Sequence, residues 1–324
     1  MWDRVWGPPI TRKDHQRLSL TVSLFFNLRF LGQIYMAILG AHMSIAGGYH
    51  KAVEAAAKAG CDCVQIFTKN NSQWRGKPIT EEQETTFKTV SSASKITHPI
   101  SHASYLINLA SPKDELRQKS IDAMAIELQR AFQLGIPYVV VHPGSFTTSD
   151  ETTGITTIRQ SINEIHDQLP ELETQILLEN TAGQGTNLGW QFEQLEQMLH
   201  GLNEADRVGI CIDTCHAFAA GYELGDFDGY QETIEKLDAT VGLKSIKAFH
   251  INDSKKPFGS RRDRHEHIGQ GEMGLEPFRN LLQDERFQAI PMYLETPKTD
   301  DDGNDADVIN LKTLRDLAST PQTR

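Results

Sequence analysis

Residues 209–216 read GICIDTCH: a short apolar run ends in Asp213, and His216 follows three residues later. Five other apolar runs, spaced along the chain, also end in a histidine or an acid: His102, His142, Glu179, His250 and Glu295. One such residue would ordinarily be a hydrogen-bonded core side chain or a solvated strand edge. Six in series indicate that parallel strands bring their C-terminal ends to one face, where barrel enzymes build their active sites.

The rest of the chain supports a parallel barrel. From Met36 onward, short apolar runs alternate with longer amphipathic ones, which predicts repeated βα units. The predicted strands end near eight residues: His42, Phe67, His102, His142, Glu179, Asp213, His250 and Glu295. A (β/α)8 TIM barrel needs about 250 residues. We therefore predict a single-domain α/β barrel over residues 36–324, with its active site at the C-terminal face of the strands.

A doubly wound open sheet is the competing architecture. It would normally carry a glycine-rich phosphate loop after an early strand, and Ala46-Gly47-Gly48 is only a weak echo of one. It would also spread the strand-end ligands along an edge rather than gather them. The closed barrel is the better interpretation.

Helix boundaries are marked by capping residues. Ser111-Pro112 predicts the N-terminus of a helix over Glu115–Phe132, and Gly135 predicts its end. Thr80 and Gln83 have the spacing of a capping box.

The composition of the chain argues against some classes of protein. The 324 residues carry a net charge of -11, which argues against the broad basic surface of a non-specific nucleic-acid binder. Four cysteines are too few for a disulfide scaffold, so we expect a cytoplasmic protein in which Cys211 and Cys215 are inert buried thiols. The apolar stretch at 18–28 is too short to span a membrane. Residues 1–35 are interpreted as an N-terminal extension, either a targeting segment or the product of an upstream start codon.

The strand-end residues have the composition of a metal site. Together with His216, Asp263 and His265 from the loops, they make five imidazoles and four carboxylates, a mixture that suits zinc better than magnesium or calcium. Zinc takes about four ligands, so nine donors fit two or three ions if one carboxylate bridges. Without cations, four clustered carboxylates would repel one another. His42 closes the first strand, and we expect it to orient a ligand rather than bind metal.

At these positions the sequence resembles the endonuclease IV family of apurinic/apyrimidinic endonucleases. The resemblance extends from about Met36 to beyond Glu295, and five segments carry it: HASYLINL at 102–109, VHPGS at 141–145, ENTAGQG at 179–185, GICIDTCH at 209–216, and FHINDSK at 249–255 with DRH at 263–265.

The resemblance implies three zinc ions per chain. His102 and His142 would hold one ion, and Glu179 would bridge it to a second, completed by Asp213, His250 and Glu295. The third would lie between His216, Asp263 and His265. The implied reaction is hydrolysis of the phosphodiester 5′ to an abasic site in duplex DNA, by a hydroxide held between metals near Glu179. The protein is expected to act as a monomer in DNA repair, with no membrane partner.

The resemblance also suggests which side chains contact DNA. Tyr105 and Leu106 follow the third strand, where family members insert side chains at the lesion. A larger set of cations lies in or near the βα loops and is expected to contact phosphates: Lys69, Lys77, Lys255, Lys256, Arg261, Arg262 and Arg264. Family members often place an inserting arginine after the second strand, where this chain has Ser72.

Two other functions are compatible with parts of the pattern. A sugar isomerase of the xylose isomerase type shares the barrel and its strand-end carboxylates, but five histidine ligands are unusual for it. A non-catalytic DNA-binding or metal-storage protein would not need an open multi-metal pocket. An amidohydrolase would carry a His-x-His motif on the first strand, and Gly40-Ala41-His42-Met43 lacks one.

Overall fold

The computed structural model describes residues 37–320, so the extension predicted at 1–35 lies outside the described residues. The strands in chain order are β1 Leu39–Met43, β2 Cys63–Phe67, β3 Thr97–His102, β4 Tyr138–Val141, β5 Gln175–Glu179, β6 Val208–Asp213, β7 Ile246–His250, β8 Asp253–Ser254, β9 His265–Glu266 and β10 Met292–Leu294. The α-helices are α1 Tyr49–Ala59, α2 Glu81–Ala93, α3 Asp114–Leu134, α4 Glu151–Gln168, α5 Phe192–Leu199, α6 Thr214–Ala220, α7 Phe227–Thr240, α8 Glu276–Gln283 and α9 Ala306–Ser319. Short 3₁₀ turns at Ala205–Arg207 and Leu243–Ser245 lead into β6 and β7.

Strands β1 to β7 and β10 form a closed parallel barrel, and β10 pairs with both β7 and β1. This confirms the predicted TIM barrel. β8 and β9 form a separate two-stranded antiparallel hairpin in the long connection between β7 and α8. Among residues 37–320, no helix is long and apolar enough to cross a membrane.

The barrel interior is filled by a layer of apolar side chains. Seven strands each contribute one buried residue to it: Cys63, Ile100, Val140, Leu177, Cys211, Ala248 and Tyr293. On β1 the corresponding position is Gly40, where a Cβ would lie 2.0 Å from the carbonyl oxygen of Cys63. The larger apolar core lies between the strands and the surrounding helices and includes Phe87, Ile121 and Leu314.

Side chains two residues further along a strand point the same way. The layer above the apolar one is therefore His42, Gln65, His102, His142, Glu179, Asp213, His250 and Glu295. Two of these lie one residue beyond their strands, since β4 ends at Val141 and β10 at Leu294. The polar layer thus covers an apolar floor, at the C-terminal mouth of the barrel.

The capping predictions had mixed outcomes. Thr80 and Gln83 form the predicted box: the Gln83 backbone N–H donates to Thr80 Oγ1 at 3.2 Å, and the Thr80 N–H donates to Gln83 Oε1 at 3.0 Å. The predicted end of α3 is confirmed, because Gly135 has φ 73° and its N–H donates to the carbonyls of Ala131 and Phe132. The N-cap at Ser111 was wrong. Its hydroxyl accepts from the Lys113 N–H in a turn that precedes α3.

We expect Thr80→Ala to lower the free energy of unfolding by about 1 kcal/mol, because the Gln83 backbone N–H in the first turn of α2 loses its side-chain acceptor. Urea denaturation measures the change. The matched control is Thr85→Ala, at an exposed position within α2, which should be neutral or slightly stabilising. Equal stability of the two variants would show that the capping box contributes nothing.

Candidate metal centre

The structure brings all nine predicted ligands together at the C-terminal mouth of the barrel. Their donor atoms form three groups, within each of which all donors lie no more than 4.8 Å apart. The first group is His102, His142 and Glu179; the second is Glu179, Asp213, His250 and Glu295; the third is His216, Asp263 and His265. These are the three sets that the family resemblance implied.

Glu179 connects the first two groups through its two carboxylate oxygens. Oε2 lies 3.1 Å from His102 Nε2 and 3.2 Å from His142 Nε2. Oε1 lies 3.0 Å from His250 Nδ1. Because the two oxygens face different imidazoles, this side chain is placed to bridge two positions.

The third group lies at the edge of the mouth. His216 Nε2 is 3.1 Å from Asp263 Oδ2, and His265 Nε2 is 3.4 Å from Asp263 Oδ1. Asp213 links this group to the second, since its Oδ2 lies 3.6 Å from His265 Nε2. His216 is placed locally by Asp213, which caps α6 by accepting the His216 backbone N–H at 2.6 Å.

The imidazole contacts fit a bound cation. His102 Nδ1 is 2.7 Å from the carbonyl oxygen of Ala103, and His216 Nδ1 is 2.9 Å from that of Asn180, so each ring donates its proton there. Each Nε2 lone pair then faces a carboxylate oxygen, which is also an acceptor. His216 Nε2 and His265 Nε2 are buried without a hydrogen-bond partner. A cation between lone pair and carboxylate would resolve this repulsion.

Electrostatics keep Glu179 ionised. Burial opposes ionisation of Glu179, yet the neighbouring His250 and His142 hold the pKa of its carboxyl well below the usual range. Burial likewise disfavours a charged His250, but Cys211 and the carboxylates of Glu295 and Glu179 raise the pKa of its imidazole well above the usual value. The buried acids therefore require positive charge beside them, which either protons or metal ions can supply.

Three polar side chains that we did not predict hold the ligands in place. Gln65 donates from Nε2 to Glu295 Oε1 at 2.5 Å, and its Oε1 lies 2.8 Å from His250 Nε2. Asn252 donates to Asp213 Oδ2 at 2.7 Å, and Asn180 accepts the Asp213 backbone N–H at 2.6 Å. Gln65 had a readable signal, a lone amide in the apolar run Cys63–Phe67. The two asparagines lie in the segments ENTAGQG and FHINDSK, but no hydrophobic pattern marked them.

His42 lies outside all three groups. Its Nδ1 is 3.0 Å from Gln65 Nε2 and 3.8 Å from Glu295 Oε1, a placement that agrees with the expected orienting role. Cys215 has its sulfur near the Asp213 and His265 donors. Burial raises the pKa of this thiol to about 12, so it remains protonated. All four cysteines are free and buried.

Next to the first group is a cavity of about 230 Å³, lined by His102, His142, Tyr105 and Asn108 among others. Tyr105 stands at its rim with 58% of its surface exposed and its ring centroid 5.2 Å from that of His102. Leu106 is half-buried beside it. The two side chains predicted to enter the duplex thus lie at the entrance to the candidate metal centre.

The cationic side chains that we predicted to contact phosphates differ in their exposure to solvent. Lys255, Arg261, Arg262 and Arg264 are exposed on the loop between β7 and α8, and Lys256 is half-buried there. Lys77 is exposed on the loop between β2 and α2. Lys69 is instead buried, with its ammonium 2.7 Å from Glu127 Oε1 and bonded to the Gln73 carbonyl. We therefore place Lys69 among the residues that shape the β2–α2 loop rather than at the surface.

Ser72, which stands where family members often have arginine, folds back onto the chain. Its hydroxyl donates to Asn70 Oδ1 at 2.7 Å, and its backbone N–H donates to the same oxygen at 2.9 Å. The neighbouring Asn71 carbonyl accepts from Ser104 Oγ, which ties this loop to the segment carrying Tyr105.

Comparison with known proteins assigns the chain to a family. Residues 53–317 match the family described as Xylose isomerase-like TIM barrel. The probable endonuclease 4 of Citrifermentans bemidjiense is 48% identical over 282 residues, 87% of this chain and 99% of that protein. The chain belongs to the endonuclease IV family. Another endonuclease IV relative, the probable endonuclease 4 of Trichlorobacter lovleyi, is 50% identical over 279 residues, 86% of this chain and 99% of that protein.

The crystal structure of endonuclease IV from Thermus thermophilus superposes with a TM-score of 0.76 at 34% identity, covering 86% of this chain and 98% of that one. Membership confirms the predicted resemblance, the barrel and the expectation of an enzyme of the hydrolase class. The xylose-isomerase alternative shares the barrel architecture, but the relatives reported above are endonucleases.

We expect metal removal to lower the melting temperature of the protein by at least about 5 °C, because metal bound only to the folded state stabilises it by mass action. Differential scanning fluorimetry before and after dialysis against a chelator measures this. Readded zinc should restore the midpoint, whereas the same concentration of magnesium should not, since five of the nine donors are imidazoles. An unchanged midpoint after chelation would contradict a metal centre.

Proposed function

We propose that this protein hydrolyses the phosphodiester on the 5′ side of abasic sites in duplex DNA, leaving a 3′-hydroxyl and a 5′-deoxyribose phosphate, as a step of base excision repair. The observation that carries the proposal is the arrangement of nine donors in three groups around the buried Glu179. It is supported by similarity to relatives named endonuclease 4 over nearly the whole of their length.

The donor set favours three zinc ions. Each group offers three or four donors, and imidazole occurs in every group, as zinc prefers. When bound, zinc supplies Lewis acidity, which makes water nucleophilic at neutral pH and neutralises charge on a phosphate. These cations would also give an acidic protein a positive centre for DNA.

The chain's own residues perform two tasks in this proposal. Glu179 remains ionised, and its two oxygens, which face different imidazoles, would help to hold two metal ions. Burial of the polar layer above the apolar floor excludes water from below and leaves access only from the mouth. The cavity lined by His102, His142 and Tyr105 is then the place for the scissile phosphate and the sugar beside it.

Tyr105 and Leu106 provide selectivity for the lesion. An abasic nucleotide has no base to stack, so displacing it from the duplex costs less than displacing a normal nucleotide. Tyr105 is exposed but braced, with its ring centroid 5.8 Å from Phe67 and 5.9 Å from His142. A braced aromatic ring can fill the gap in the duplex with little loss of side-chain entropy.

Arg261 is the best-positioned phosphate contact. Its guanidinium carbon lies 3.7 Å from the ring centroid of Trp190, and its backbone N–H donates to the carbonyl of Ala219 at 2.9 Å. The residue has φ 51°, a left-handed conformation that the surrounding loop maintains. Because the side chain is already ordered, less entropy is lost when it binds a phosphate. Arg264 and Lys255 extend the same cationic loop.

The proposal includes action as a monomer in the cytoplasm.

We expect Glu179→Gln to reduce incision of a duplex carrying one abasic analogue by at least about a thousandfold, because a neutral amide cannot hold two cations together. Gel analysis of nicked product measures the rate, with an intact duplex as the substrate control. The matched control is Glu193→Gln, a change in an exposed ion pair with Lys236. It should cut at the wild-type rate. Near-native cleavage by Glu179→Gln would rule out the proposed site.

We expect Arg261→Ala to weaken binding to abasic duplex and to reduce the slope of log affinity against log salt by about 1, since one phosphate contact is lost. Fluorescence anisotropy at several salt concentrations measures both. Trp190→Ala should weaken binding in the same direction and Trp190→Phe much less, because phenylalanine keeps a ring under the guanidinium. Lys88→Ala, an exposed change on α2, is the charge-matched control. An unchanged slope in Arg261→Ala would exclude this contact.

A further inference from the structure

The connection between β7 and α8 contains a buried carboxylate that belongs to none of the three ligand groups. Asp253 has 0% of its surface exposed. Its Oδ1 accepts the backbone N–H groups of Ser254 at 2.7 Å and Met273 at 3.1 Å. Its Oδ2 accepts those of Gly269 at 2.9 Å and Gly271 at 3.0 Å. Four main-chain donors thus converge on one side chain.

The loop is shaped to surround this carboxylate. A Cβ on Gly271 would lie 2.4 Å from the Ser254 carbonyl oxygen and 2.5 Å from Asp253 Oδ1. Gly269 has φ 76°, which favours glycine. The Glu272 N–H also donates to the Ser254 carbonyl at 2.8 Å, which closes the turn. We call Asp253 with residues 269–273 the Asp253 cage.

The Asp253 cage is directly connected to the third ligand group. In the β8–β9 hairpin, Asp253 pairs with Glu266 and Ser254 pairs with His265. The Lys255 N–H donates to the Arg264 carbonyl at 2.8 Å. Asp263 and His265, with side chains 39% and 16% exposed, are the least buried members of their group. The strand that carries His265 is therefore held on the strand that begins with Asp253.

We propose that Asp253 is a positioning residue for the third metal: its carboxylate holds the loop so that Asp263 and His265 face His216, without touching the metal. All six residues of the first two groups lie on a barrel strand or one residue beyond it, so these groups do not depend on this loop. Loss of the Asp253 cage should therefore remove one metal and leave two. The inference rests on the proposed three-metal function.

The decisive variant is Asp253→Asn, which preserves the shape of the side chain but turns an amide NH₂ toward main-chain N–H donors. After dialysis against a zinc buffer, mass spectrometry should find about one zinc fewer per chain than in the wild type. Hydrogen exchange of peptides covering 267–273 should accelerate at least about tenfold, because charge-assisted bonds to the amides are lost. Asp226→Asn, a change in the exposed cap of α7, should alter neither quantity.

Asp263→Asn separates the Asp253 cage from the ligand itself. It should lose the same zinc while exchange at 267–273 stays slow, because the Asp253 cage is intact. An Asp253→Asn protein that keeps the wild-type zinc content, or that keeps slow exchange at 267–273, would overturn the proposal. So would fast exchange at 267–273 in Asp263→Asn, since metal loss would then account for the loosened loop.

Gly271→Ala decides the matter if Asp253→Asn does not fold. Its added methyl pushes the loop away from an unaltered Asp253, so one zinc should again be lost; retention of all the zinc would overturn the proposal. Incision by the wild type tests the function independently. Wild-type protein that holds three zinc ions but fails to cut abasic DNA would sink the function and leave the role of Asp253 standing.

Discussion

A single buried carboxylate organises this molecule. Glu179 is completely buried, and both of its oxygens lie within about hydrogen-bond distance of imidazole nitrogens. In a low-dielectric interior, an ionised acid is stable only beside positive charge. Two of the surrounding imidazoles, those of His102 and His250, present lone pairs to Glu179 once their other nitrogens have donated to a carbonyl or amide oxygen. The arrangement is stable when cations occupy the spaces between acid and imidazole. The burial of Glu179 and the chemistry proposed at the mouth of the barrel both depend on positive charge beside its carboxylate.

The barrel gathers the imidazoles and carboxylates around Glu179 because side chains alternate between the inside and the outside of each strand. The apolar layer from Cys63 to Tyr293 closes the interior, and the next inward position on each strand carries a polar group. Parallel strands bring these groups to the same end, so residues separated by most of the chain meet within a few ångströms. Side-chain amides then fix the orientations of the candidate ligands. Gln65 bonds both Glu295 and His250. Asn252 bonds the Asp213 carboxylate and the Glu295 backbone N–H, and Asn180 bonds both main-chain groups of Asp213.

Hydrogen bonds and side-chain contacts between loops, rather than the alternation of side chains along strands, position the outer loops. Asp263 and His265 lie on a long connection whose conformation is set by backbone hydrogen bonds to Asp253 and by the β8–β9 hairpin. Arg261 on the same connection rests on Trp190, which belongs to the loop after β5. The proposed metal ligands and the proposed DNA contact are therefore coupled through one segment. The β2–α2 loop is held instead by the buried Lys69–Glu127 pair, which removes that lysine from the surface.

Local pattern determined a great deal by itself: the βα alternation predicted the barrel, strand-end residue types predicted a zinc-type metal centre, and the capping box at Thr80 was readable because its bonds join neighbours in sequence. The Ser111 N-cap was wrong because two hydrogen-bonding options within a few residues compete, and only the surrounding packing selects one. Tertiary structure alone decided that Asn180 and Asn252 hold candidate ligands in place, that Lys69 is buried, and that Asp253 gathers four backbone donors. The physical reason is common to all of these. Periodicity reports which face of an element is buried, whereas hydrogen bonds between distant loops depend on where the closed barrel brings their ends together.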